Sequence, residues 1–162
     1  MEILHEPVGI FITWTVYGTF LQGDSRWWRR HHSSERPPQP LLEQWHRDRL
    51  NHQVILLNSK HCEVVQFEIE NHSQRRRWKL WVAAVRSNHV HVVVTAPGYT
   101  GKKVRDQLKA NCTRGLRKID KRFVDRLIWT TKGDVQFLKT DDDLEKAIAY
   151  ASEAQDRMGR GK

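Results

Sequence analysis

The chain has 162 residues, of which 38% are hydrophobic and 29% charged, a composition typical of one globular domain and not of a disordered chain. It carries 28 Lys and Arg against 19 Asp and Glu, and the resulting net charge of +9 favours a polyanionic partner such as a phosphate backbone. Two separated cysteines exclude a cysteine-rich zinc module, and no apolar run approaches the roughly 18 residues of a membrane span. The first residues lack the order of a signal peptide, so we expect an intracellular location.

The N-terminal half predicts one strand, a long loop and a helical region. Residues 9–17 are rich in β-branched and aromatic side chains, which predicts a buried strand. Residues 26–40 show no periodicity and end in prolines, so we predict a surface loop within an insertion at about residues 23–40. Apolar residues at helical spacing predict a helix over residues 41–57, which continues less regularly over residues 63–69.

The C-terminal half alternates strands and helices. Residues 78–85 and 88–95 are two dense β-forming runs, which predicts a hairpin in the middle of a sheet. Residues 103–118 predict a helix with one basic and one apolar face. A short strand region over residues 128–138 is followed by a final helix over residues 141–154, whose three initial aspartates suit a helix N-terminus. This interleaving predicts an α+β domain with a mainly antiparallel sheet.

His89 and His91 lie two positions apart in a valine-rich run, and alternate side chains of a strand point to the same face. Two imidazoles on one face can bind one metal ion, because each offers a nitrogen lone pair. Alone the pair is a weak signal, since about 0.5 such pairs are expected by chance, and the two rings could instead face solvent or accept hydrogen bonds in the core. Val90 and Val92 point to the opposite face, which we expect helices to cover. Two bases are costly to place in mid-sheet without a partner, which favours a ligand or polar site on the histidine face.

Several stretches occur together in one order and spacing over almost the whole chain. They are FITWTVYGTF at residues 11–20 with Gly23-Asp24, RSNHVHVVV at 86–94, QLKA at 107–110 with TRGLR at 113–117, WTTKGD at 129–134, and AIAY at 147–150 followed by Gln155. This joint pattern resembles the REP-associated tyrosine transposases, which are single-tyrosine enzymes of the HUH kind. The joint match is far more specific than the histidine pair.

The resemblance implies one ferredoxin-like, RNA-recognition-motif-like sandwich over residues 1–162, with helices packed on a central sheet. Related enzymes cut single-stranded DNA at the foot of hairpins through a 5′-phosphotyrosine intermediate. The resemblance therefore implies that His89 and His91 bind a divalent ion, Mg²⁺ or Mn²⁺ in preference to Zn²⁺, and that Tyr150 is the nucleophile. Because a tyrosine hydroxyl is a weak nucleophile at neutral pH, a metal on the scissile phosphate would assist the attack.

The roles of two site positions have alternatives. Tyr150 could be an aromatic residue that packs on the sheet from an amphipathic helix, without a part in catalysis. The third metal ligand is open between Gln155, which the resemblance indicates, and Glu153, which lies nearer to the face of the tyrosine on an ideal helix. Either residue could also be an ordinary solvated side chain.

Basic residues in three parts of the chain are candidates for DNA contacts, and Trp27 could stack on a base. They are Lys109, Arg114 and Arg117 on the predicted basic helix, Lys132 near the last turn, and Arg26, Arg29 and Arg30 in the long loop. Each of them could instead be a solvated surface charge.

The sequence thus predicts a metal-dependent endonuclease and strand transferase that acts on single-stranded or hairpin DNA. We expect a monomer or homodimer associated with the nucleoid and not with a membrane. One alternative is a non-catalytic nucleic-acid-binding domain of the same fold, which would not need Tyr150. A small zinc-binding protein is a third interpretation, and the shortage of cysteines argues against it.

Overall fold

The computed structural model of the chain describes residues 6–19, 28–29 and 35–153. Its strands are β1 (Gly9–Thr15), β2 (Trp28–Arg29), β3 (Glu35–Arg36), β4 (Lys79–Val85), β5 (His89–Thr95) and β6 (Asp134–Leu138). Its helices are α1 (Pro40–Asp48), α2 (Ser59–Arg75), α3 (Gly101–Ile119) and α4 (Asp141–Glu153), with a short 3-10 helix over Lys121–Phe123. No helix in these ranges is long and apolar enough to cross a membrane.

Four strands form one antiparallel sheet in the order β4-β5-β1-β6. The strand β1 lies between β5 and β6, so that Thr13 is opposite His91 on one side and opposite Asp134 on the other. The predicted α+β class with an antiparallel sheet is confirmed. Its main elements follow the chain as strand, helix, two strands, helix and strand, which is the order of the expected ferredoxin-like sandwich.

The main core lies between one face of the sheet and the helices α2 and α3. Alternate residues of β1 and β5 point into it because successive side chains of a strand lie on opposite faces. Val90 and Val92 are fully buried there, so helices do cover the face opposite the histidines, as expected. The other residues of this core include Ile10, Ile12, Trp14, Val65, Ile69, Val104, Leu108 and Leu116.

The helix α4 packs on the opposite face of the sheet, which is the histidine face. Its Leu144, Ala147 and Ala151 form a second cluster with Val93 of β5 and Leu138 of β6. These three α4 residues follow the helical spacing that places side chains on one stripe. The small side chains of the two alanines let the helix approach the sheet closely.

The predicted helix over residues 41–57 is wrong beyond its first half, because α1 ends at Asp48. Leu57 is buried, and its N–H donates to the carbonyl of Ser87 (2.8 Å), so a tertiary contact holds it in an extended segment. Asn58 then starts a separate helix, since its side chain accepts a hydrogen bond from the N–H of His61 (2.8 Å). This second helix, α2, continues to Arg75.

The position of the hairpin needs correction, and the long loop contains a short pair of strands. The β4–β5 hairpin exists, but it does not lie in the middle of the sheet, because β4 is an edge strand. Within the region predicted to be a surface loop, β2 and β3 pair with each other, with Trp28 opposite Arg36. The pairing of β5 with β1, which is far away in the sequence, makes β4 an edge strand, and the local pattern carries no signal for it.

Candidate active site

The two histidines of β5 lie side by side under α4. His89 is 2% exposed and His91 is 7% exposed, and their ring centroids are 4.6 Å apart. The strand alternation that buries Val90 on the other face directs both imidazoles to this one. The pair is thus buried and close enough for both rings to approach one ligand.

Each histidine has a polar partner at its Nδ1 atom. His89 Nδ1 lies 2.9 Å from Asn88 Oδ1, and because an amide oxygen only accepts, this contact is a hydrogen bond in the tautomer that carries the proton on Nδ1. His91 Nδ1 lies 2.8 Å from the hydroxyl of Thr13, its cross-strand neighbour, which can accept in the same way. In this tautomer the lone pair of each ring is on Nε2, the arrangement typical of histidines that bind a metal through Nε2.

Tyr150 on α4 lies beside the pair, with its ring centroid 5.7 Å from that of His91. Phe11 of β1 contacts both, since it stacks on His91 at 5.4 Å and meets Tyr150 edge-on at 5.9 Å. Tyr150 is 37% exposed. Its ring therefore belongs to the cluster and remains accessible to a large substrate.

The other two tyrosines lie elsewhere in the fold. The hydroxyl of Tyr17 accepts a hydrogen bond from the N–H of Asn51 at 2.7 Å, and the ring of Tyr99 packs edge-on against Trp78 at 5.1 Å. Of the three tyrosines, Tyr150 is the one that α4 carries across the sheet to the histidines.

The third metal ligand stays a prediction. Glu153 is exposed at the C-terminal end of α4, and Gln155 lies outside the described residues. Within residues 6–19, 28–29 and 35–153, no group of three His, Cys, Asp or Glu side chains could hold a metal ion. The described part of the site thus holds two imidazoles that could act as ligands, and protonation of both at Nδ1, which their partners allow, would fit a divalent ion bound at Nε2.

Lys109 and Arg105 of α3 hold the turn that precedes β6. The ammonium of Lys109 donates to the carbonyls of Thr130 (3.0 Å) and Lys132 (2.6 Å), and Arg105 donates to that of Gly133 (3.2 Å). Burial and the neighbouring charge of Arg105 lower the pKa of Lys109 from 10.5 to about 8. Lys109, a candidate for DNA contact, is therefore engaged with backbone, whereas Lys132 in the turn is exposed.

The remaining candidates for DNA contact are dispersed. Arg114 is exposed and lines a polar groove of about 720 Å³ between α2 and α3, together with Arg75, Arg76 and Lys118. Arg117 donates to the carbonyls of Phe123 and Arg126 and so holds the segment after α3. Three loop candidates, Arg26, Trp27 and Arg30, lie outside the described residues, and for Arg29 only the backbone is described.

Sequence reasoning assigned no role to Thr13, Phe11, Asn88 or Arg105. Asn88 precedes His89 directly, so its position next to the pair was the one signal available. Thr13 and Phe11 reach His91 only through the pairing of β1 with β5, and Arg105 reaches Gly133 only through the packing of α3. Nothing in the local pattern predicts these contacts.

Comparison with solved structures identifies two proteins of the same fold. A protein from Deinococcus radiodurans R1 assigned to the transposases superposes with a TM-score of 0.53 and 8% identity over 94% of both chains. A REP-associated tyrosine transposase bound to a REP hairpin superposes with a TM-score of 0.51 and 14% identity, over 93% of this chain and 68% of that one. The shared fold agrees with the resemblance found in the sequence. No protein-family model matches the chain, and no curated protein does.

Proposed function

We propose that this chain is a single-tyrosine transposase-like enzyme, similar to the REP-associated tyrosine transposases, which cuts single-stranded or hairpin DNA. The observation that carries the proposal is the position of Tyr150 beside a buried pair of histidines that share one face of the sheet. Two histidines that held a divalent ion next to this tyrosine would suit phosphoryl transfer, because the ion would assist a weak nucleophile.

In the proposed reaction, the Tyr150 oxygen attacks the phosphorus of the scissile bond. A bond forms between the tyrosine oxygen and phosphorus, and the bond from phosphorus to the 3′ oxygen breaks. The product is a 5′-phosphotyrosine and a 3′ hydroxyl, with the tyrosine proton released to solvent and a proton taken up by the departing oxygen. When bound, the divalent ion supplies charge stabilisation at the phosphate and at the departing oxygen.

The residues around the pair have positioning roles in this proposal. Asn88 and Thr13 hold the rings of His89 and His91 with their Nε2 lone pairs available to the ion. Phe11 packs against both His91 and Tyr150 and so helps to hold the two rings beside each other. We propose Mg²⁺ or Mn²⁺ as the ion, with Gln155 or Glu153 as the third protein ligand.

DNA as the substrate is supported by charge and by similarity of fold. The net charge of +9 is a source of affinity for phosphates, and Arg114 and Lys132 are exposed contributors to it. One protein of the same fold was solved with a REP hairpin bound. These observations are shared by a non-catalytic DNA-binding domain, so the test must detect the covalent step.

In the test, the protein is incubated in the presence of Mg²⁺ or Mn²⁺ with a labelled library of single-stranded DNA that contains hairpins. We expect a protein–DNA band that survives denaturing electrophoresis and disappears on chelation and in Tyr150→Phe. The matched control Tyr99→Phe removes a hydroxyl from a ring that packs on Trp78, and it should retain the band. DNA binding without any covalent product, across ions and hairpins, would favour the binding-domain alternative.

A further inference from the structure

A strip of the sheet formed by β1 and β6 adjoins the candidate active site on its histidine face. Directly opposed residues of paired strands share a face, so Gln136 lies next to Phe11, and Asp134 lies next to Thr13. Gln136 and Asp134 are exposed, and Phe11 is partly so. This strip is therefore an accessible surface that begins at the ring in contact with Tyr150.

Two open cavities meet along this strip. One, of about 400 Å³, extends from Phe11 and Gln136 to Tyr150 and Lys146. The other, of about 580 Å³, shares Phe11 and Gln136 and extends to a basic cluster. That cluster consists of Lys102, Arg105 and Lys132. The two cavities share Phe11 and Gln136 as lining residues, so they adjoin along this strip, one towards the tyrosine and the other round the edge strand β6 towards the basic cluster. We refer to the two together as the groove.

The groove combines three kinds of group that single-stranded DNA requires. Phe11 presents an aromatic ring to both cavities, and aromatic rings bind unpaired bases by stacking. Gln136 presents an amide, which can both donate to and accept from a base edge. Lys146 lies one helical turn before Tyr150 on α4, so its ammonium is placed to contact a phosphate near the hydroxyl.

Arg105 of the groove is used by the fold, since it donates to the carbonyl of Gly133 (3.2 Å), but Gln136 and Lys146 differ from it in this respect. Within the described residues, no hydrogen bond engages the Gln136 amide, and no ion pair engages the Lys146 ammonium. The carboxylates of Asp134 and Asp143 also line the groove and would repel phosphates at those two points. They are placed instead to accept hydrogen bonds from base amino groups.

We infer that this groove is a subsite for the unpaired nucleotides next to the scissile phosphate. In it a base packs against Phe11, Gln136 reads the edge of a base, and the lysines at the two ends contact phosphates. The inference rests on the proposed function, because it takes DNA as the substrate and Tyr150 as the point of cleavage. It adds the part of the surface that selects the sequence of the cleaved strand.

The test measures binding and not cleavage, in a Tyr150→Phe background, by fluorescence anisotropy. The probes are labelled oligo-dA, oligo-dC and oligo-dT of about 12 nucleotides, within the usual range of single-strand site sizes. We expect Phe11→Leu to weaken binding of all three by about 5- to 100-fold. The ratio of the dissociation constants of the weakest and the tightest probe measures base selectivity. We expect Gln136→Ala to reduce this ratio by about 5-fold or more.

Matched controls remove the same groups on the other side of the sheet. Gln74→Ala deletes an exposed amide of α2, and Lys60→Ala deletes an exposed ammonium for comparison with Lys146→Ala. If the groove variants bind all three probes as these controls do, or if the background protein binds none of the probes, the inference is wrong. If Phe11→Leu lowers the melting temperature, Gln136→Ala and Lys146→Ala decide the outcome. The binding assay involves no cleavage, so it can be interpreted even if the covalent protein–DNA band is not found. Conversely, a negative result in the binding assay does not contradict the proposed chemistry of Tyr150.

Discussion

The hydrogen bond between Thr13 and His91 provides a test of the metal site that does not depend on DNA. The change Thr13→Val keeps the shape of the side chain and removes the hydroxyl that lies 2.8 Å from His91 Nδ1. In the proposed site this hydroxyl orients the ring and fixes the proton on Nδ1. Without it, the ring loses both constraints, and its Nε2 is a poorer ligand.

The expected magnitude follows from the behaviour of such supporting residues. Loss of one typically weakens metal binding about 10- to 100-fold, which corresponds to about 1.4 to 2.8 kcal/mol. The effect on folding should be smaller, because one hydrogen bond contributes a net stability of about 1 kcal/mol. The free energy of metal binding should therefore decrease by more than the free energy of unfolding does.

The assay is calorimetric titration of the metal-free protein with Mn²⁺, with urea denaturation in parallel. Thr15→Val is the matched control, since it is the same change two positions along β1, where the hydroxyl donates to Thr130 (2.8 Å) and not to a histidine. Thr13→Ser should restore most of the affinity. Equal Mn²⁺ affinity in Thr13→Val and Thr15→Val would refute the reasoning that the hydroxyl supports a metal ligand.

Two further predictions concern the folding of the surrounding structure. Gly101→Ala should lower the free energy of unfolding by about 1–3 kcal/mol in urea denaturation, because a Cβ at this position collides with Val135 where α3 crosses β6; an unchanged midpoint would contradict that packing. The unfolded chain holds the Lys109 proton up to about pH 10.5, whereas the folded chain releases it near pH 8, so this group should raise stability as the pH increases between these values. The Lys109→Met variant should not show this increase of stability with pH. If the stability of both proteins depends on pH in the same way, the lowered pKa of Lys109 is contradicted.

The elements with a strong local period were predictable from the sequence. The apolar stripe of α3 repeats with the helical period, and the valine-rich run of β5 is the dense β-forming run of a buried strand, so both elements follow from the local pattern. The boundary of α1 was not predictable in this way. The apolar residues beyond Asp48 continue the helical spacing, but Leu57 is held by the carbonyl of Ser87, and a helical pattern contains no information about that distant contact.

In the candidate site, too, one feature follows from the local sequence and the others from the tertiary structure. The spacing of His89 and His91 by itself determined that both rings share one face, because the alternation of a strand is a local property. Only the tertiary structure decided that Thr13 and Phe11 meet His91 and that Tyr150 lies beside it. These contacts join residues of β1, β5 and α4 that are far apart in the chain. They depend on strand register and on the packing of α4, which arise from the whole core and not from any one segment.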